Sequence, residues 1–127
     1  MNPLTLEWIE KAEGDFIVAQ KMVRVRKQPV YDAVCYHAQQ CAEKYLKAFL
    51  HENGERVPHT HELLDLLKLC QEIDPSLEIL SSDLKELARY AVNIRYPGES
   101  ADVDEAKIAF AAIKVVRGIL RQKIGIV

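Results

Sequence analysis

The chain has 127 residues, of which 49% are hydrophobic and 28% are charged; this balance excludes a disordered chain and predicts one soluble globular domain over residues 1–127. Its formal net charge of −2 excludes a global positive field that would attract nucleic acid. We therefore expect no DNA binding, and any contact with RNA or a nucleotide should be local. The sequence predicts no membrane segment and no leader peptide.

The first of five predicted helices runs from about Leu4 to Arg26, where apolar residues recur at intervals of three and four. Arg24, Arg26 and Lys27 are expected in its last turn, where positive charge favours the helix dipole. Pro29 then separates this helix from the second one.

The second helix is predicted from about Val30 to Asn53, because Gly54 takes the left-handed conformation that ends a helix at low cost. Its apolar arc is wide, which predicts a helix covered on two sides. Gln39 falls inside this arc, so it should be buried and hydrogen-bonded. The narrow opposite face carries polar side chains, namely Tyr36, Gln40, Glu43, Lys44, Lys47 and His51.

The three cysteines are predicted to be free thiols. Cys35, Cys41 and Cys70 form no CxxC pair, and an odd number argues against a disulfide framework. Free thiols predict a reducing compartment, the cytoplasm. Cys35 and Cys41 lie on the apolar arc of the second helix and are interpreted as small core residues.

The third helix is predicted to be short, from about Thr60 to Ile73, with Thr60 as its N-cap. The fourth should start at Asp74-Pro75, an N-cap followed by a proline at the first helical position. It should end near Arg95, because Pro97 disfavours helical geometry at the residue before it.

The fifth helix should open at Asp102, with Glu105 three residues later as a variant of the capping box. Short connections predict that neighbouring helices run antiparallel. We therefore expect an all-α, up-and-down bundle of about five helices, with a four-helix core and one short helix. The predicted core face of the fifth helix is Ile108, Ala112, Val115, Val116, Ile119 and Leu120, and its solvated face is Lys107, Lys114, Arg117 and Arg121.

Four short stretches occur in a characteristic order over nearly the whole chain. They are Ala12-x-x-Asp15; the Gln39-Gln40, Glu43-Lys44 and Lys47 positions of the second helix; Thr60-His61-Glu62-Leu63; and Arg95-Tyr96-Pro97. Together they resemble the signatures of the HEPN family, the nucleotide-binding helical domains of higher eukaryotes and prokaryotes. The resemblance assigns Gln39, Gln40, Glu43, Lys44, His61 and Pro97 to the structural part of the motif.

The resemblance implies an antiparallel helical bundle that pairs as a homodimer. Small proteins of this type accompany a separately encoded minimal nucleotidyltransferase, either as its substrate-binding companion or as half of a toxin–antitoxin system. Many members are metal-independent ribonucleases that carry an arginine, four to six spacer residues and then a histidine.

This chain departs from the ribonuclease pattern. The positions at that spacing after Arg89 hold Ile94, Arg95 and Tyr96. Those after Arg95 hold Ser100, Ala101 and Asp102, and all four histidines, His37, His51, His59 and His61, come earlier in the chain. The departure argues against nuclease activity.

Arg89, Arg95 and Tyr96 are candidates for binding a phosphate and stacking a base, since arginine offers forked donors and tyrosine a flat face. Lys47 is a further candidate, because it could form a basic notch with Arg95. The alternative is structural: Arg95 braces the end of its helix and pairs with an acid such as Glu43. Glu43 and Lys47 also have the spacing of an ion pair within a solvated or inter-helix network.

His59, His61 and Glu62 suggest a metal site only weakly, because no second cluster of ligands accompanies them. We expect instead that His61 bonds a carbonyl near the cap of the third helix. No metal or cofactor is therefore expected, and a nucleotide is the expected ligand class.

Three hypotheses follow for the function. The first is a binding module for a nucleotide or a nucleotidyltransferase partner. The second is a ribonuclease without the usual histidine, which is disfavoured because arginine does not titrate near neutral pH. The third is a dimerisation module alone.

Overall fold

The structure is a computed structural model that describes residues 1–90 and 97–126. In these ranges it is built of helices joined by turns and contains no strand, which confirms the all-α class. The elements in chain order are α1 (Pro3–Val23), α2 (Tyr31–Glu52), α3 (Leu63–Ile73), a 3₁₀ helix (Pro75–Leu80), α4 (Ser81–Ala88) and α5 (Val103–Ile124).

The long helices alternate in direction. The Asn2 N–H donates to Glu52 Oε1 at 3.1 Å, so the start of α1 lies beside the end of α2. Lys123 Nζ lies 2.9 Å from Asp74 Oδ2, so the 3₁₀ helix and α4 start beside the end of α5. The result is the predicted up-and-down bundle, with short α3 packed against α2. No helix in the described part of the chain has the length and apolar character needed to cross a membrane.

α2 is the central element, because it contacts α1, α3, α4 and α5. From Cys41 to Leu50 every side chain except Lys44 is buried, which confirms the predicted coverage on more than one side. Gln39 is 2% exposed and its Oε1 accepts a hydrogen bond from Gln40 Nε2 at 2.8 Å, as predicted. The largest fully buried apolar side chains around α2 are Tyr45, Leu46, Leu50, Leu63, Leu66, Leu77, Leu80, Leu84, Leu87, Ile113 and Leu120.

The three cysteines are free and fully buried, which confirms the interpretation of Cys35 and Cys41 as core residues. Burial raises the pKa of Cys35 and of Cys70 to about 12, and it raises the pKa of Cys41 as well. The thiols are therefore protonated at neutral pH and act as small hydrophobic groups.

α1 ends at Val23, earlier than the predicted Arg26. Arg24 is its C-cap, and Gln28 has a φ of 52° immediately before Pro29. A chain that must reverse into α2 and enter a proline cannot keep helical geometry up to that point. The three cations predicted in the last helical turn lie instead at its C-cap and in the α1–α2 turn: Arg24, Arg26 and Lys27.

α3 begins at Leu63, so the prediction of Thr60 as its N-cap is wrong. Thr60 Oγ1 accepts a hydrogen bond from the Glu62 N–H at 3.1 Å and so forms a small turn ahead of the helix. Glu62 then occupies the N-cap position without a side-chain capping bond.

The fourth predicted helix begins where expected but first adopts 3₁₀ geometry. Asp74 Oδ1 accepts a hydrogen bond from the Ser76 N–H at 3.1 Å, which confirms the N-cap. α4 ends at Ala88, and the predicted end near Arg95 lies outside the described residues. Pro97 belongs to a turn in which Gly98 has a φ of 89°, a conformation that favours glycine.

The start of α5 matches the predicted capping box. Asp102 Oδ1 accepts from the Glu105 N–H at 2.8 Å, and Glu105 Oε1 accepts from the Asp102 N–H at 3.2 Å. Gly125 ends the helix in the left-handed conformation with a φ of 98°. Both helix ends therefore carry strong local signals.

The inward face of α5 differs from the predicted one. Ile108 and Val115 are 49% and 45% exposed, whereas Arg117 and Arg121 turn toward Glu13 on α1. α5 must pack against α1, α2 and α4 together, and these contacts set its rotation. Its buried side chains are Ala106, Ala109, Ala112, Ile113, Val116, Leu120 and Ile124.

Candidate functional site

Three of the four signature stretches meet along α2. Asp15 from α1 contacts two residues of α2, and His61 from the loop before α3 contacts a third. We call these contacts the Asp15 group, which comprises Asp15, His37 and Lys44, and the Glu43 group, which comprises Glu43, Lys47 and His61. Residues far apart in sequence are thus joined through one helix.

The Asp15 group is a nearly buried carboxylate held by two partners. Asp15 Oδ1 lies 2.7 Å from His37 Nδ1, and Lys44 Nζ donates to Asp15 Oδ2. His37 and Lys44 are two turns apart on α2 and so lie on one face, where a single carboxylate can reach both. The ring of Tyr36 packs edge-on against His37, with 5.2 Å between ring centroids.

The Glu43 group is more deeply buried. Glu43 Oε2 lies 3.0 Å from both Lys47 Nζ and His61 Nδ1, and Lys47 Nζ lies 5.5 Å from the centroid of the Trp8 ring. Glu43 is 3% exposed and Lys47 is 5% exposed, whereas the side chain of His61 is 78% exposed. Water therefore reaches this group mainly through His61.

The polar face of α2 that carries Glu43 and Lys47 belongs to an inter-helix network, one of the two environments predicted for it, because α1 and the loop before α3 cover it. The prediction for His61 needs correction. His61 bonds the Glu43 carboxylate rather than a carbonyl near the start of α3. A buried carboxylate attracts the imidazole more strongly than a neutral carbonyl does. The predicted Glu43–Lys47 ion pair is present.

Glu43 has one further feature of note. Its Oε1 is buried and has no hydrogen-bond partner within the described residues. A buried acceptor in this state carries a desolvation cost of about 1–3 kcal/mol. The Glu43 carboxylate can therefore accept one more donor.

A third cluster, absent from the sequence-based predictions, joins α1, α2 and α5. Arg117 donates from Nε to Glu13 Oε2 at 2.7 Å and from Nη2 to Glu13 Oε1 at 2.6 Å. Tyr45 Oη also donates to Glu13, and Arg121 Nη1 donates to Tyr45 Oη at 3.0 Å. The guanidinium of Arg117 lies 4.3 Å from the centroid of the Phe16 ring.

The hydrogen bond from Arg117 is the main cause that lowers the pKa of Glu13. Burial is the main cause that raises the pKa of Tyr45, and its bond to Glu13 adds to this. Glu13 lies beside the Ala12-x-x-Asp15 stretch, but its partner is 104 residues away in the chain. No local pattern points to so distant a pairing.

The candidate binding residues have unlike environments. Lys47 is buried and paired, so it is not free to bind a phosphate. Arg89 is exposed; its Nη1 donates to Glu86 Oε2 at 3.0 Å and its guanidinium lies 5.8 Å from the Tyr90 ring. Arg95 and Tyr96 lie outside the described residues. Lys47 therefore does not offer a free cation to the basic notch that was predicted for Lys47 and Arg95.

The side chains of these groups contact one another as ion pairs and charged hydrogen bonds. Within residues 1–90 and 97–126, no three His, Cys, Asp or Glu side chains are arranged to hold a metal ion. Each carboxylate of the three groups faces at least one cation or hydroxyl donor at bonding distance. Such an arrangement holds α1, α2, α5 and the α2–α3 loop together while leaving parts of His37, Lys44 and His61 at the surface.

The fold and these contacts define an all-helical bundle organised around one central helix, α2, that carries both polar and apolar contacts. The HEPN domain model matches residues 5–124, so the chain belongs to the HEPN family. It is similar to TT1696 from Thermus thermophilus, whose crystal structure superposes with a TM-score of 0.80 at 28% identity, covering 94% of this chain and 97% of that one. No match was found among curated proteins.

Proposed function

We propose that this HEPN-domain protein is a binding module that accompanies a separately encoded minimal nucleotidyltransferase, in a substrate-binding or toxin–antitoxin-like role. Its ligand is a nucleotide or a nucleotide-bearing partner. Family membership supports the nucleotide-binding or ribonuclease-type class. The observation that carries the choice of a binding role over a catalytic one is that the signature residues are engaged with one another in two groups. Asp15 contacts His37 and Lys44, and Glu43 contacts Lys47 and His61.

A ribonuclease function is disfavoured because the chain lacks the family's nuclease motif. Acid–base cleavage of RNA needs a group that titrates near neutral pH, and arginine does not. His37 and His61, which contact carboxylates at 2.7 and 3.0 Å, lie on α2 and in the loop before α3. No histidine follows Arg89 or Arg95 at the spacing of the family's nucleases.

The proposal includes a homodimer and a cytoplasmic location. The exposed Ile108 and Val115 of α5 are one heptad apart, with Ala111 and Gly118 on the same face, and this spacing suits contact with another helix. Three free, buried cysteines are compatible with a reducing compartment.

Co-expression tests the partner. The full chain should co-elute in size-exclusion chromatography with the minimal nucleotidyltransferase encoded beside its gene. We expect Arg89→Ala to weaken this binding several-fold, because Arg89 is the exposed candidate cation. Lys85→Ala is the matched control, since Lys85 is an exposed cation one turn earlier on α4. Absence of such a neighbouring gene, or no complex with its product, would refute the companion role.

A second experiment addresses the enzymatic alternative. The purified protein should not cleave structured or unstructured RNA in the presence of a metal chelator. Cleavage that disappears in the Arg95→Ala variant would replace the binding proposal with a nuclease. Cleavage that persists in that variant points to a contaminant, and a second purification step should then remove it.

A further inference from the structure

An open groove of about 410 Å³ lies at the end of the bundle where α1 turns into α2 and α5 begins. We call it the basic groove. Its cationic residues are Arg24, Arg26 and Lys107, and its remaining walls include Val25, Tyr31 and Val103. We propose that the basic groove binds a nucleoside phosphate, with the phosphate on the cations and the base against Tyr31.

The cations of the basic groove are available for a ligand. In the described chain, Arg24, Arg26 and Lys107 take part in no ion pair, whereas Arg89 and Arg117 are both paired with acids. The early end of α1 causes this arrangement, because it places Arg24 and Arg26 at the rim of a concavity rather than along a helix. Two arginines with forked donors and one lysine supply the positive charge and the hydrogen-bond donors that a phosphate takes.

Three acidic residues near the basic groove are engaged in other contacts. Asp32 Oδ1 accepts from the Ala101 N–H at 2.6 Å, and Asp102 and Glu105 bond each other's backbone in the capping box. Asp104 is exposed on the first turn of α5, but no acidic side chain among the described residues lines the groove. The local charge of the lining is therefore positive in a chain whose net charge is −2.

Tyr31 provides the flat surface that a base requires. It is the first residue of α2, it is half-buried, and it is the aromatic residue of the groove lining. Val25 and Val103 add apolar wall on either side of the polar rim. A base stacks on an aromatic ring in such a setting, and the volume is within the range of small-ligand sites, about 300–1,000 Å³.

The basic groove is separate from the Glu43 group. Tyr31 and Lys47 are sixteen positions apart on α2, which corresponds to about 24 Å along the helix. The inference rests on the proposed function in one respect, since it names a site for the nucleotide ligand proposed there. The two tests are separate, because binding of ADP does not require a nucleotidyltransferase partner and co-elution with that partner does not require ADP.

Titration calorimetry of the full chain with ADP tests the inference. We expect ADP to bind and Arg24→Glu/Arg26→Glu to weaken binding by about tenfold or more, since two charged hydrogen-bond donors become repulsive. Arg56→Glu is the matched control, because Arg56 is an exposed arginine outside the groove and forms no ion pair within the described chain. Added salt should weaken ADP binding to the wild-type protein.

A circular dichroism melt of each variant verifies folding. If charge reversal unfolds the chain, Arg24→Gln/Arg26→Gln replaces the reversal variant in the binding test.

Two further probes define the ligand chemistry. Tyr31→Leu should weaken the binding of ADP but not that of inorganic phosphate, because only ADP carries a base. A short single-stranded RNA that binds while ADP does not would overturn the inference. Equal ADP affinity in the wild-type protein and in the arginine reversal variant would overturn it as well.

Discussion

At the scale of single residues, the Glu43–Lys47 ion pair is the least solvated charged contact of the described chain. Its atoms are 3.0 Å apart, and neither residue is more than 5% exposed. Removing one member of a buried pair leaves the other charge without a partner in a medium that solvates it poorly. The pair therefore matters to stability more through the cost of breaking it than through its own strength.

We expect Lys47→Met to lower the free energy of unfolding by about 3 kcal/mol, the low end of the range for breaking a buried ion pair, because His61 still contacts the Glu43 carboxylate. The double variant Glu43→Gln/Lys47→Met should recover much of this loss, because no charge remains buried. Arg89→Ala is the exposed control, since its pairing with Glu86 is solvated and contributes about 0–1 kcal/mol. Urea denaturation measures all three, and a Lys47→Met effect as small as that of Arg89→Ala would contradict the buried-pair interpretation.

The Glu13–Arg117 contact should make stability depend on pH. Arg117 lowers the pKa of Glu13 below its ordinary value of 4.5, so the stabilisation is present above pH 4.5 and is lost as the pH falls through the folded-state pKa. We expect Glu13→Gln to be less stable than the wild type at pH 7 by about 1–3 kcal/mol, as for charged hydrogen bonds. The difference should shrink at about pH 3, below the ordinary pKa of a glutamate.

Urea unfolding of both proteins at the two pH values measures this difference. Glu10→Gln is the control, because Glu10 is an exposed carboxylate on the same helix and forms no ion pair within the described residues. A Glu13→Gln deficit that is the same at both pH values would show that the lost contact is steric rather than ionic.

At the scale of elements, helix ends are set by local chemistry where a side chain can satisfy free backbone groups. α5 has reciprocal capping bonds at its start and a left-handed glycine after its end. α3, in contrast, starts after Glu62 without a side-chain capping bond, and its buried face packs against α2. A helix of 11 residues is marginal on its own in water, so α3 needs its neighbours.

Asp102→Ala should destabilise the protein by about 1 kcal/mol, the usual effect of removing an N-cap side chain. Asp104→Ala is the matched control, because Asp104 lies in the same first turn but forms no capping bond. Its effect should be only that of one charge near the helix dipole, at the low end of about 0.3–1 kcal/mol. Thermal melts of the two variants compare them directly, and equal shifts would exclude a specific role for the capping box.

At the scale of the whole molecule, the outer face of α5 is the place where a second copy is expected. Ile108 and Val115 are exposed there although their periodicity is that of buried residues. Two-fold dimers are the commonest oligomers, and a self-complementary apolar helix face suits them.

We expect light scattering at micromolar concentration to give twice the chain mass of 14.5 kDa. Ile108→Asp/Val115→Asp should give a monomer, because the substitutions place charges at the contact. Ile79→Asp is the control, since Ile79 is 68% exposed on the 3₁₀ helix and does not belong to the apolar face of α5. A monomeric wild type would refute the dimer, and a dimeric double variant would place the contact elsewhere.

Local sequence patterns determined the positions of the helices, one helix cap and part of the core. Periodicity located the helices, and the Asp102–Glu105 spacing located a cap. The wide arc of α2 predicted that Gln39 would be buried and bonded. These features depend on residues within one or two helical turns, whose relative positions follow directly from helix geometry. The order of the four stretches along the chain indicated the HEPN family, which the match to the family model confirms.

The tertiary structure alone decided which faces meet. Periodicity defines an apolar stripe but not the rotation of a helix against two neighbours, so Ile108 turned outward and Arg117 turned toward Glu13. Likewise, the attraction of His61 to Glu43 acts through space between residues on separate elements. Pairings of this kind depend on how the helices pack, and packing is a property of the whole bundle rather than of any segment.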